Sequence, residues 1–152
     1  MAHRGATGFN LFLHFPHGLH LAGNTTMTIS KPHSGIVLFA HGSRDPLWHK
    51  PMEAVAAHIA LASVQTPVEC AYLEISTPDL TTATQKLIAR GVTSITVVPL
   101  FLGVGKHARE DLPQLMSNLQ ANHPAVQFTL QRAVGEDVRL IQLIAQIALE
   151  SC

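Results

Sequence analysis

The stretch Ile36-Val37-Leu38-Phe39-Ala40, followed at once by His41-Gly42-Ser43-Arg44-Asp45-Pro46, decides the fold. Five consecutive apolar residues read as a short strand buried on both faces. That is the pattern of a parallel sheet, because a sheet with one wet face alternates apolar and polar residues instead. The polar run behind it, punctuated by glycine and proline, reads as the loop at the carboxyl end of that strand. A helix is expected from about Pro51, since proline is tolerated in the first turn of a helix and not deeper. Met52, Val55, Ala56 and Ile59 then share one face.

The same unit repeats along the chain. A second strand is expected over residues 68–73, ending at Glu74. Thr77-Pro78 reads as an N-cap with proline at the first helical position. Leu80, Ala83 and Leu87 mark that helix's buried face, and Gly91 fits its C-terminal cap. The third strand, residues 95–100, is the most apolar. It leads through the loop Gly103-Val104-Gly105-Lys106-His107 into a helix carrying Leu112, Leu115, Met116 and Leu119. A fourth strand over 126–130 precedes Asp137, which is read as the cap of a final helix with Leu140, Ile141, Ile144 and Ala148 inward. Strand and helix alternate four times. The expected architecture is α/β: one domain over residues 34–152, a four-stranded parallel sheet of flavodoxin-like winding, helices on both faces and right-handed crossovers.

Composition agrees. A chain of 152 residues suits one domain with a core of its own. With 47% hydrophobic and 13% charged residues, neither disorder throughout nor a coiled coil is expected. Ten basic residues balance ten acidic ones, which argues against nucleic acid or an anionic membrane surface as partner. No apolar run reaches the length of a membrane-spanning helix. Cys70 and Cys152 form neither a disulfide framework nor a CxxC metal knuckle, so a reducing cytoplasm is the expected setting.

The ten histidines stand out, as many as the lysines and arginines combined. His3, His14, His17, His20 and His33 lie in residues 1–33, which hold no acid and are read as a disordered extension. A secretory signal is disfavoured there, because the basic start is thin and the apolar stretch is interrupted. Met27 is an alternative start. His14-x-x-His17-x-x-His20 has ligand-like spacing, but Pro16 and Gly18 disfavour a rigid helix beneath it. His49, His58 and His123 read as surface, loop or helix-stop residues.

Chemistry in an open parallel sheet belongs beyond the carboxyl ends of the strands. His41 follows the first strand, Glu74 ends the second and His107 lies in the loop after the third, each 33 residues from the last. One β-α unit separates each from the next, so all three belong to the same rim. Two imidazoles and a carboxylate suit a divalent transition metal and proton transfer near neutral pH. The sequence departs from two better-known motifs. His107 stands where a phosphate loop requires Ser or Thr, and His41-Gly42-Ser43 lacks the G-x-S-x-G frame of a nucleophile elbow. Ser43 reads as a turn or hydrogen-bonding residue.

Four stretches in order carry a resemblance: Ala40-His41-Gly42-Ser43-Arg44-Asp45-Pro46; Tyr72-Leu73-Glu74; Val98-Pro99-Leu100-Phe101-Leu102; and Gly105-Lys106-His107-Ala108-Arg109-Glu110-Asp111-Leu112-Pro113. Together they resemble the short-form class II tetrapyrrole chelatases, the sirohydrochlorin cobaltochelatase and ferrochelatase group, over about residues 35–150. The resemblance implies insertion of a divalent metal (cobalt, iron or nickel) into a sirohydrochlorin-type macrocycle without ATP, in the cobalamin or sirohaem pathway. It implies a homodimer, and no permanent cofactor, the metal being a substrate. It implies His41 and His107 as metal ligands and, with Glu74, as the catalytic group. Ser43, Arg44, Lys106 and Arg109 are expected to meet the macrocycle, the cations pairing with its carboxylate arms. The family loop often reads Gly-Gly-His, and here Lys106 replaces the second glycine. Two alternatives stay open on the residues alone. One is a non-catalytic metal-binding or delivery protein using the same ligands. The other is a phosphate-ester enzyme, which lacks the arginine expected before His41.

Overall fold

The computed structural model describes residues 33–150, the side chain of His107 excepted. The reading of residues 1–33 as a disordered extension therefore lies, His33 aside, outside the described residues, as does the histidine triplet. Four strands form one parallel sheet: β1 (Ser34–Ala40), β2 (Val68–Tyr72), β3 (Ser94–Pro99) and β4 (Gln127–Leu130), in the order β2-β1-β3-β4. The helices are α1 (Lys50–Ala62), α2 (Leu80–Ala89), α3 (Lys106–Asn122) and α4 (Val138–Leu149). Short 3₁₀ turns, Pro46–His49 and Val134–Glu136, precede α1 and α4. The order is the flavodoxin-like one expected, and the chain reverses direction between β1 and β3.

The register gives each face its residues. Val37 pairs with Val97, Phe39 with Ala71 and Ile95 with Phe128, so these share one face. They form a single core with Leu80, Ala83 and Leu87 of α2 and Ala108, Leu112 and Leu119 of α3. Leu38, Cys70 and Val98 lie side by side on the other face, where α1 packs over β2 and β1. That α1 lies opposite α2 and α3 follows from crossovers of one hand on a sheet whose winding reverses.

The two faces are unequally finished. Val37, Phe39, Ile95 and Val97 are fully buried. On the α1 face, Thr96 and Val98 of β3 are half-buried and Thr129 of β4 is exposed. The final helix was expected to point Leu140, Ile141, Ile144 and Ala148 inward. It does not: no residue of α4 is buried, Ile141 is 53% exposed and Ile144 43%. The helix and its Asp137 cap are as read, with the carboxylate accepting from the Arg139 N–H. The apolar periodicity announces the helix, but it does not name a surface that receives the apolar side chains.

The start of α2 also differs from expectation. The Thr77–Pro78 peptide is cis, and both residues precede the helix. Asp79 is the N-cap, its carboxylate accepting from the Thr82 N–H at 2.7 Å, while the Pro78 carbonyl accepts from the Tyr72 N–H. Those hydrogen bonds hold the Asp79 carboxyl below its usual range. Above the ordinary aspartate value its stabilisation is complete. It is lost as pH falls through the depressed value. Asp79→Ala is expected to cost about 1 kcal/mol at neutral pH. Urea melts should show the gap between the two proteins closing on acidification.

Candidate active site

The site is built on backbone bonds between two loops. The Leu73 N–H donates to the Ala40 carbonyl at 2.8 Å and the Glu74 N–H to the His41 carbonyl at 3.0 Å. These bonds tie the chain together one residue past β1 and two past β2, and hold His41 and Glu74 at the same rim. Gly42 is required here. Its φ is +101°, and a Cβ would collide with the Glu74 carbonyl. Ile75, the residue after Glu74, has φ +67°, a left-handed conformation that a β-branched residue adopts only when its surroundings impose it. The same tight turn bonds the Ser76 N–H to the Glu74 carbonyl at 2.7 Å.

Ser76 locks the arrangement. Its hydroxyl accepts from the Ser43 N–H at 2.9 Å and donates to the Ser43 carbonyl at 2.8 Å. His49 Nε2 lies 3.1 Å from the same oxygen, and the His49 ring stacks on Tyr72 with centroids 4.7 Å apart. Sequence reading left His49 as a surface or loop residue. Nothing in its spacing signals this place, because the contact depends on the turn Pro46–His49 folding back over the end of β2.

A cleft of about 520 Å³ opens at this rim, lined by His41, Leu73, Glu74, Gly105, Ala108 and Asp111. It lies at the switch point between β1 and β3, where open α/β sheets bind ligands. The His41 ring is exposed and rests on Phe101, centroids 4.3 Å apart and planes 32° apart. Phe101 is buried at 2% exposure, so it is a fixed floor that restricts the imidazole while leaving its edge open to the cleft. His107 was read as a loop residue and is instead the second residue of α3. Gly105 is the N-cap, with φ −67°. Lys106 is the first helical residue, so the position has no need of a glycine.

Asp111 was not singled out in the sequence. It stands four residues after His107 on α3, on the same helix face. That spacing was the available signal. The remaining expected residues spread out. The Ser43 hydroxyl accepts from the Asp45 N–H at 3.1 Å. Arg44 is exposed. Lys106 is 3.9 Å from Glu110 on the surface of α3. Arg109 lines a different cleft of about 180 Å³, shared with Pro113, Leu130 and Glu136. Among the described residues, no three His, Cys, Asp or Glu side chains are grouped tightly enough to hold a metal ion.

The CbiX family model matches residues 35–151, which covers the sheet from the second residue of β1 onward and every residue of the cleft. The chain belongs to the CbiX family. Its curated relatives include the sirohydrochlorin cobaltochelatase of Sulfurisphaera tokodaii, 29% identical over 114 residues, covering 74% of this chain and 88% of the relative. The sirohydrochlorin ferrochelatase of Bacillus subtilis is 29% identical over 112 residues, covering 72% of this chain and 42% of the relative. Among solved structures, a putative CbiX protein of cobalamin biosynthesis from Marinobacter aquaeolei superposes with a TM-score of 0.68. It is 34% identical over 78% of this chain and 93% of its own. The sirohydrochlorin chelatase SirB of Bacillus subtilis subspecies spizizenii, in complex with cobalt, shares the CbiX fold at a TM-score of 0.67 and 22% identity. It covers 77% of this chain and 50% of SirB. The matched portion of SirB is thus about half of that chain, the size of a single CbiX domain.

Proposed function

We propose that this protein is an ATP-independent sirohydrochlorin chelatase, a lyase that inserts a divalent metal (cobalt, iron or nickel) into the macrocycle. The observation that carries the reading is the cleft uniting His41 and Glu74 at the switch point of a CbiX-family chain. Insertion exchanges two pyrrole N–H protons for one divalent cation. It needs a base that accepts protons near neutral pH and a ligand that lets the metal go. The His41 imidazole serves both needs. Its exposed edge meets the incoming metal, and its seat on Phe101 keeps the ring in one orientation. Glu74 supplies a carboxylate beside it, balancing the cation's charge and taking up protons. His107, in the first turn of α3, is the second imidazole of the group. Ser43 and Arg44 from the loop after β1 and Lys106 from the start of α3 face the macrocycle's carboxylate arms, with Arg109 further along α3.

The protein holds no permanent cofactor on this reading, and the metal is consumed. It works in the cytoplasm on the path to cobalamin or sirohaem, as the absence of a disulfide framework suggests. Among the described residues, no helix is long and apolar enough to cross a membrane. A macrocycle is better enclosed by two rims than one, which supports a homodimer. Residues 34–152 form its catalytic domain, with residues 1–33 as an extension.

The test is anaerobic incubation of the purified protein with sirohydrochlorin and Co²⁺, Fe²⁺ or Ni²⁺ in turn, followed by absorbance. Turnover well above the spontaneous rate with at least one metal is expected. Stoichiometric metal binding with no acceleration would point to a delivery protein instead.

A further inference from the structure

Ile75 is held in a conformation that its own side chain opposes. The Ser76 N–H donates to the Glu74 carbonyl, two residues back, at 2.7 Å, and the φ of Ile75 is +67°. This is a γ-turn of the strained kind, centred on a β-branched residue. Glycine adopts the left-handed region freely, and asparagine adopts it at small cost. Isoleucine is the wrong residue for this backbone.

The turn has a use, but the isoleucine side chain does not contribute to it. By folding the chain back directly after Glu74, the turn brings the Ser76 hydroxyl to the Ser43 N–H and carbonyl, at 2.9 and 2.8 Å. Those bonds are made by main chain and by Ser76, so glycine at position 75 would serve them better. Burial does not offset the strain either, because the Ile75 side chain is 62% exposed. A residue that strains the backbone and keeps most of its apolar surface in water adds little to folding. Its counterpart lies outside the chain.

Its place indicates what that counterpart is. Ile75 directly follows Glu74, which lines the cleft together with His41. The neighbouring loops at the same end of the sheet carry matching residues. Leu47, in the 3₁₀ turn after β1, is 63% exposed, and Leu102, three residues past β3, is 71% exposed. Each of these three loops thus holds one large apolar side chain out to solvent. A ligand suited to them offers a broad apolar face beside a polar centre that reaches His41 and Glu74. A tetrapyrrole has that chemistry: a flat conjugated ring with its nitrogens in the middle.

We propose that Ile75 is a specificity-determining contact for the macrocycle, pressed against the flat face of the ring while the pyrrole nitrogens lie toward His41 and Glu74. The assignment rests on the chelatase reading above and names a residue that selects its substrate. The γ-turn fixes the side chain in one place before the ring arrives, so little order is lost on binding. Covering about 55 Å² of its apolar surface corresponds to about a tenfold change in a binding constant. The contact is the same before and during insertion, so it acts on substrate affinity and leaves the chemical step alone.

Ile75→Gly and Ile75→Asn remove the side chain and relax the turn. Both are expected to hold or raise the urea midpoint. Both should raise KM for sirohydrochlorin about tenfold, with kcat within about twofold of the parent. Co²⁺ affinity, measured without macrocycle by equilibrium dialysis, should not move. Ile75→Val keeps a branched apolar side chain and should keep the parent KM within about twofold. An active parent whose KM is unchanged in the glycine and asparagine variants overturns the inference and leaves the chelatase reading standing. A lowered urea midpoint in both variants also overturns it, since the side chain would then be holding its own chain. Light scattering at assay concentration should give one mass for parent and variants; a smaller mass in the variants would assign Ile75 to contact between copies instead. A parent that does not accelerate insertion overturns the chelatase reading and the inference together.

Discussion

His41→Ala is expected to slow metal insertion by about 100-fold or more while leaving the melting temperature almost unchanged. The two halves of that expectation have separate causes. The imidazole is exposed and rests on Phe101 at the surface, so its removal opens no cavity. The backbone bond from Glu74 to the residue 41 carbonyl survives any side chain. A proton acceptor positioned at the reacting group contributes on the order of 10²–10⁴ in rate, and alanine supplies none. Insertion rates set beside urea melts separate this role from a structural one. The rate should fall while the urea midpoint holds, and the His41→Ala/His107→Ala pair should be slower still. Unchanged rates in that double variant would sink the assignment of both histidines.

Gly42→Ala is expected to damage fold and site together. At φ +101° an L side chain is strained, and its Cβ would occupy the space of the Glu74 carbonyl. Relief requires the loops after β1 and β2 to separate, which breaks the hydrogen bond from Glu74 to His41 and the Ser43–Ser76 pair. A cost of about 2–4 kcal/mol is expected, read as a lowered urea midpoint at unchanged slope. Insertion should fall even under conditions where the variant is fully folded, because His41 and Glu74 no longer share a rim. Gly103→Ala is the control. No atom lies within 4 Å of its added Cβ and its φ is not positive, so its stability should stay within about 0.5 kcal/mol of the parent.

The sheet was legible because its signals are local and redundant. Five apolar residues before His41, and the helical spacing of Leu80, Ala83 and Leu87, each state a period that the fold obeys. The candidate site was legible in part for the same reason, since equal β-α units place His41 and Glu74 at equivalent strand ends. What stayed hidden depends on turns and on surfaces. The roles of Ser76 and His49 arise from two loops folding against each other. Arg109 faces a different cleft from Asp111, although both sit on the first turns of α3. The inward reading of α4 failed because helical periodicity marks an apolar face without naming a surface that receives it.

The bonds from Leu73 to Ala40 and from Glu74 to His41 are made entirely by main-chain atoms. The rim is therefore indifferent to what positions 41 and 74 carry, so long as glycine stays at 42. Scaffold and ligand set are separable inheritances. On the proposed reading, the carboxylate at position 74 can be exchanged for another donor without disturbing the sheet beneath.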